Sequence, residues 1–389
     1  MRRIGIEERR ARLGARHHLA AAAMASTPDE AARGVVALHA TDPASVFLSV
    51  QARTASADVE AIERALYDER TLVRMLGMRR TMFVVPTELA PVIQAAAAKA
   101  IAVTQRRRYT QFIADGGLGD GAWLADVEES TARALAIRGE ATGAQLSADE
   151  PRLRSQVLMA EGKAYGGKQN ITTWVLFLLA ADGRIVRGRP NGSWTSTQWR
   201  WSPVEKWLPD GMAELPVEAA RVELVRRWLA AFGPGTVADL RWWTGWTAAH
   251  VKQALAALGA VEVDLGGTTG LVLPEDLEPV AAPKPWVALL PALDPTAMGW
   301  SQRSWYLGAH APALFDRSGN VGPTVWSDGR VVGGWAQRAD GEVVYRLLED
   351  VGTDTVAAVE TAAARLAKWI GSVRVIPRFR TPLERDLSA

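Results

Sequence analysis

The chain has no cysteine, which excludes disulfides, a zinc ribbon and a thiol nucleophile together. Histidine is scarce too, with five in 389 residues, and no pair has ligand spacing beside a carboxylate, so no metal is expected. No apolar run reaches the roughly eighteen residues of a membrane span. The opening "MRRIGIEERRARLGARHHL" mixes acids with bases and lacks an apolar signal core, so a cytoplasmic location is expected. Phosphate loops, GxSxG elbows and dinucleotide fingerprints are missing. "GGLGDG" at 116–121 lacks a preceding strand and a following Lys-Ser/Thr and reads as plain loop. A large excess of either charge is missing as well: 45 Lys and Arg against 43 Asp and Glu leave +2.

What is present is uneven. Sixteen tryptophans outnumber seven phenylalanines and five tyrosines, and most should anchor cores or interfaces. Basic residues cluster in "GMRRTMF", "QRRRYTQF" and "GRIVRGRPNGSWTSTQWRW", so a nearly neutral protein can still turn a positive face to phosphate. The length implies several domains. Helical periodicity dominates from Ile6 to about Arg138, with "SADVEAIERALYDERTLVRMLG" reading as a helix pair and "RRTMFVVP" as a strand. From about 120 to 201 three helices, the third capped by Asn170, precede a hairpin around Asn191-Gly192. The same order recurs from 217 to 273, where a recognition helix would carry His250, Lys252 and Gln253. Three helices plus a hairpin is the winged-helix arrangement. After Pro274 a proline-bearing connector leads into short strands with Asp-Gly turns, an amphipathic helix and a last strand, "SVRVIPRF". The expected class is mainly α with β (α+β). Its segments are 1–118, a helical, winged-helix-like module; 119–205 and 206–276, winged helices; and 277–389, a small β-rich α+β domain.

One corner stands apart. In "RGVVALHATDPASVFLSVQAR" two apolar runs meet at His39-Ala40-Thr41-Asp42, followed by Pro43. A helix with Pro43 at its first position and Asp42 or Thr41 as N-cap explains the last residues. It leaves His39 unexplained. Residues 39 and 41 project the same way in an extended corner, so an imidazole and a hydroxyl can hold one water between them.

The corner, "GMRRTMFVVP", "KPWVALLPALDPTAMGWSQRSW" and "PTVWSDGRVVGGW" together resemble the AlkZ/YcaQ-like tandem winged-helix DNA glycosylases, over nearly the whole chain. The resemblance implies winged helices in a C-shaped scaffold with a C-terminal β-rich domain, binding to double-stranded DNA, alkylated or crosslinked, and release of bulky N-alkylated purines. Where the family's characterised glycosylases carry Gln-x-Gln or Gln-x-Asp, this chain has His39-Ala40-Thr41. Carried over, His39 would position and deprotonate water, Thr41 would orient it, and Asp42 would support the developing cation. Arg79, Arg80, Lys168, Arg187, Arg189, Trp300 and Arg303 are the expected DNA contacts, with Arg303 alternatively paired to Asp294; Arg106–Arg108 read equally well as a solvated helix face. Such hydrolysis calls for no cofactor. A monomer is expected, because the modules already share one chain and no heptad seam is visible. Two other readings stay open: a non-catalytic DNA-binding regulator or damage sensor, and a protein that holds a toxin or nucleoside between its domains.

Overall fold

The computed structural model describes residues 1–159 and 167–389. Strand β1 (Arg2–Arg3) and helix α1 (Ile6–Arg16) open the chain. Helix α2 (Pro28–Gly34), capped by the Thr27 hydroxyl, leads to β2 (Leu38–His39) and α3 (Pro43–Gln51), every residue of which is buried. Next come α4 (Val59–Glu63), a π turn at Arg64–Asp68, β3 (Leu72–Leu76) and β4 (Met82–Pro86). Helix α5 (Ala90–Ile93) passes through a second π turn into α6 (Lys99–Asp115). The helix expected up to Gly77 therefore ends early, and "LVRML" is a strand. All five of its residues are buried, so neither a period of two nor one of 3.6 marked it in the sequence.

The second segment has α7 (Gly121–Arg138), α8 (Gly143–Asp149) with a Thr142–Gln145 capping box, β5 (Gln156–Met159), β6 (Gly167–Asn170), α9 (Thr172–Ala181), β7 (Ile185–Pro190) and β8 (Trp199–Pro203). Asn170 ends β6 and does not cap α9, whose N-cap is Ile171 with no side-chain bond. The third segment follows expectation with α10 (Val217–Phe232), α11 (Val237–Thr244), α12 (Ala248–Leu258), β9 (Val261–Asp264) and β10 (Thr269–Val272). The last comprises β11 (Val287–Leu290), α13 (Ser304–Leu307), α14 (Ala311–Leu314), β12 (Thr324–Ser327), β13 (Arg330–Gln337), β14 (Val343–Leu347), α15 (Thr353–Ile370) and α16 (Pro382–Ser388). "SVRVIPRF" is no strand. Two of its N–H groups go to side chains instead of a ladder: Val375 donates to Gln337 Oε1 and Arg378 to Asp42 Oδ2. Pro377 has no N–H to give.

Strand pairing crosses the segments. Strands β2, β4, β3, β7 and β8 form one antiparallel sheet in that order, so the second segment's hairpin completes the first segment's sheet, with Arg74 opposite Arg187. Strand β1 runs parallel to β9, tying the amino end to the third segment. One continuous apolar core runs through the first, third and last segments, while residues 109–185 pack around their own. Beneath the shared core lies a polar staple. Arg53 and Asp294, both wholly buried, form a bidentate pair at 2.8 and 2.7 Å, and Ser49 Oγ donates to the same carboxylate.

Candidate active site and nucleic-acid interface

The corner lies at the free edge of the five-stranded sheet, on β2. His39 pairs with Phe83 on β4, and the Ala40 N–H extends the ladder to Met82 O at 2.8 Å. Burial alternates along 39–41: His39 and Thr41 are half-buried while Ala40 is buried, as two outward side chains on an extended strand require. The imidazole meets Phe83 edge to face, with centroids 5.5 Å apart. Its Nδ1 is buried with no protein partner. Burial, and secondarily the charge of Arg79, pushes its pKa down to about 3, so the ring is neutral at physiological pH and free to hydrogen-bond a water.

Asp42 does something different. Its Oδ1 accepts the Ala44 N–H at 3.1 Å as the N-cap of α3, and its Oδ2 accepts the Arg378 N–H at 2.9 Å. The expected electrostatic support for a cation is therefore replaced by a positioning role: the carboxylate, 5% exposed, fixes the corner to the C-terminal segment. Burial raises its pKa, and the two backbone donors oppose that rise.

Strand register separates two faces. His39, Phe83 and Met75 share one; Leu38, Val84, Arg74, Arg187 and Trp201 share the other. On the His39 side the β3–β4 turn carries Arg79 and Arg80, both exposed and both at positive φ, 53° and 62°. The Arg79 guanidinium lies 4.3 Å from the Trp242 ring, on which Arg303 also packs at 4.8 Å. Arg79 and Arg80 also line a cavity of about 330 Å³, with Gln105, Arg221, Trp246 and His250 among the other walls. Lys252 and Gln253 are exposed on the same helix as His250.

The remaining expected contacts divide. Lys168 is exposed on β6, and Arg187 stacks on Trp199 and Trp201 at 5.5 and 5.2 Å. Arg189 is already paired with Glu63 at 2.7 Å and Asp68 at 3.2 Å, so it has little charge left for phosphate. Trp300 is 2% exposed and donates its indole N–H to Phe232 O, which makes it a core residue. Arg303 does not pair with Asp294, whose partner is Arg53; its guanidinium packs between Trp242 and Phe315. Arg106 is bound to Glu128 and Asp182, as a structural cation would be. Sequence reasoning missed Arg74, Trp199, Trp201 and Arg378. A charge inside the apolar run "LVRML" was the one local signal for the first of them.

Helical modules closed by hairpins thus surround a sheet edge that holds a neutral imidazole and a threonine hydroxyl close to several arginines. A family model described as DNA glycosylase AlkZ-like matches residues 32–369, and the chain belongs to that family. An interstrand DNA cross-link repair glycosylase of Streptomyces sahachiroi is 28% identical over 354 residues, covering 85% of this chain and 88% of the relative. The solved structure of Streptomyces sahachiroi DNA glycosylase AlkZ superposes with a TM-score of 0.74 at 22% identity, covering 96% of this chain and 98% of that one, which establishes the fold. Among the described residues, no helix is long and apolar enough to cross a membrane.

Proposed function

We propose that this protein hydrolyses the N-glycosidic bond of bulky N-alkylated purines in duplex DNA, crosslinked adducts included. The observation that carries the reading is His39: neutral, unpartnered at Nδ1, and held two residues from Thr41 at a half-buried sheet edge. A purine alkylated at N7 or N3 already bears positive charge. When its bond to C1′ breaks, the electron pair stays with the base, which leaves neutral, and the sugar becomes an oxocarbenium ion. Water then attacks C1′, and its proton passes to the His39 imidazole. A cationic imidazole could not accept it. Thr41 orients the water, and Asp42 holds the corner through backbone N–H groups. The relative from Streptomyces sahachiroi, an interstrand DNA cross-link repair glycosylase, supports crosslinked adducts as substrates. Arg79, Arg80, Lys168 and Arg187 contact the backbone and give affinity without sequence readout.

The test is a duplex carrying an N7-alkylguanine adduct, assayed for abasic sites. Wild type should release the base, and His39→Ala should be slower by about 10²-fold. Binding without base release across several adducts, by wild type and variant alike, would favour a damage sensor. Tight binding of the free alkylating agent with no DNA affinity would favour a toxin-holding protein.

A further inference from the structure

The segment 184–200 contains four arginines, and three have counter-ions: Arg184 with Glu129, Arg189 with Glu63 and Asp68, and Arg200 with Glu140. Arg187 has no carboxylate at ion-pair distance among the described residues, and its Nε is buried without a partner. Opposite it on β3 stands Arg74, 1% exposed, with Nε and Nη2 both unpartnered. The Nη1 of Arg74 reaches Ala40 O at 3.4 Å, and the buried Tyr67 hydroxyl, an uncharged acceptor, lies beside the same guanidinium. Arg378, an exposed arginine whose backbone N–H is fixed to Asp42 Oδ2 at 2.9 Å, completes the group; burial first, then the charges of Arg74 and Arg378, lower the Arg187 pKa to about 10. Trp199 lies 4.0 Å from the Arg74 guanidinium and 5.5 Å from that of Arg187. An aromatic face eases desolvation of a cation but does not neutralise it. Asp42 is the carboxylate that acts on Arg74, and both of its oxygens are already taken by backbone N–H groups. Three converging cations without a free counter-ion cost stability in the isolated protein. They lower the free energy of any complex in which an anion arrives.

We infer that Arg74, Arg187 and Arg378 form a subsite for a single phosphodiester of the bound DNA strand, built against the back of the His39–Thr41 corner. It deepens the reading above and rests on DNA as the ligand. The subsite touches the corner twice, through Ala40 O and through Asp42. A phosphate seated there brings negative charge to an edge that otherwise opposes a sugar cation. The protein should therefore act on alkylated DNA and not on the free alkylated nucleoside, which lacks the phosphate.

The experiment measures binding of undamaged duplex across a salt series for wild type, Arg187→Gln, Arg378→Gln and the double variant. Each single substitution should weaken binding and reduce the slope of log K against log salt by one or less, and the double should reduce it by about one and no more, because one phosphate is shared. Unchanged slopes overturn the proposal, and so does a loss of two in the double variant. Arg74→Met gives an independent arm. It should raise the urea midpoint of the free protein while weakening DNA binding; a lower midpoint with unchanged binding makes Arg74 merely structural and overturns the subsite. Inorganic phosphate, titrated at constant ionic strength, separates the sources. Protection by millimolar phosphate with wild-type salt slopes in the variants replaces the DNA assignment with a free-anion site. If the slopes fall as expected but no adduct is ever released, the subsite stands and the glycosylase reading falls.

Discussion

At residue scale the corner divides its work between a chemical group and a mechanical one. Because the His39 pKa is held near 3, well below the usual 6.5, the base form persists down to acid pH. Base release should accordingly show no inflection at pH 6.5 and should stay level from about pH 8 to pH 5. An acid limb centred near 6.5 in single-turnover rates would mean that the imidazole is solvated in the working enzyme, or that another group governs the step. Thr41→Ala removes one hydrogen bond to water, and the rate should fall by about 5-fold. Asp42 belongs to the mechanical half. Asp42→Ala loses an N-cap and the acceptor for Arg378, and should destabilise the fold by about 2 kcal/mol, read as a lower urea midpoint. Much of this corner was visible in the sequence, since a histidine before Thr-Asp-Pro is not what a simple cap needs. The fate of the arginines was not. Whether Arg189 is free depends on Glu63, 126 residues away, and Arg184 depends on Glu129, 55 away. Local composition carries no record of such partners, and Trp300 was equally hidden because its acceptor, Phe232 O, lies in another segment.

At the scale of elements, four helices of the second and third segments have chemically marked starts: Asp120, Thr142, Thr236 and Thr247 each cap the helix that follows. The strands were less legible. Pairing of β3 with β7 and of β1 with β9 joins residues far apart in the chain, and a two-residue strand such as β2 has no period to detect. The β3–β4 turn shows local preference overridden. Arg79 and Arg80 are consecutive non-glycine residues at positive φ, a conformation that costs about 1 kcal/mol for each. Both side chains are exposed, so the strain is not offset by burial of the side chains themselves. Arg80→Gly should relieve it, raising the urea midpoint of the free protein by the equivalent of about 1 kcal/mol. If the turn is held in this shape to present cations to DNA, the same substitution should weaken duplex binding. A variant that is neither more stable nor weaker in binding would show that the turn adopts this shape for another reason.

For the whole molecule, the question is what keeps segments from the two ends of the chain in register around the corner. A buried polar chain runs from Asp294 through Arg53 and Thr296 to His17 and on to Ala231 O, joining the last segment, the end of α3, the end of α1 and helix α10. Its hydrogen positions follow by elimination. Ala231 O can only accept, so the imidazole donates to it from Nε2 at 3.1 Å; in a neutral ring Nδ1 is then an acceptor, and the Thr296 hydroxyl, which accepts from Arg53 at 2.7 Å, donates to it at 2.9 Å. This order requires a neutral ring. Burial foremost, then the neighbouring Arg53 charge, pushes the His17 pKa down to about 3. Since the folded value lies below the unfolded one, the unfolded chain takes up a proton first as pH falls. The stability contributed by the neutral ring is whole above pH 6.5 and drains away between 6.5 and about 3. At pH 5 the loss from this residue should be about 2 kcal/mol. His39 shifts in the same direction but is half-exposed, so its share is smaller. Urea unfolding at pH 7.5 and pH 5 separates the two residues. Wild type should lose stability between these pH values. His17→Gln, which cannot take up the proton, should start less stable at pH 7.5 yet lose about 2 kcal/mol less on acidification. An identical fall in the variant would assign the acid sensitivity to carboxylates and leave the chain through Thr296 as packing alone.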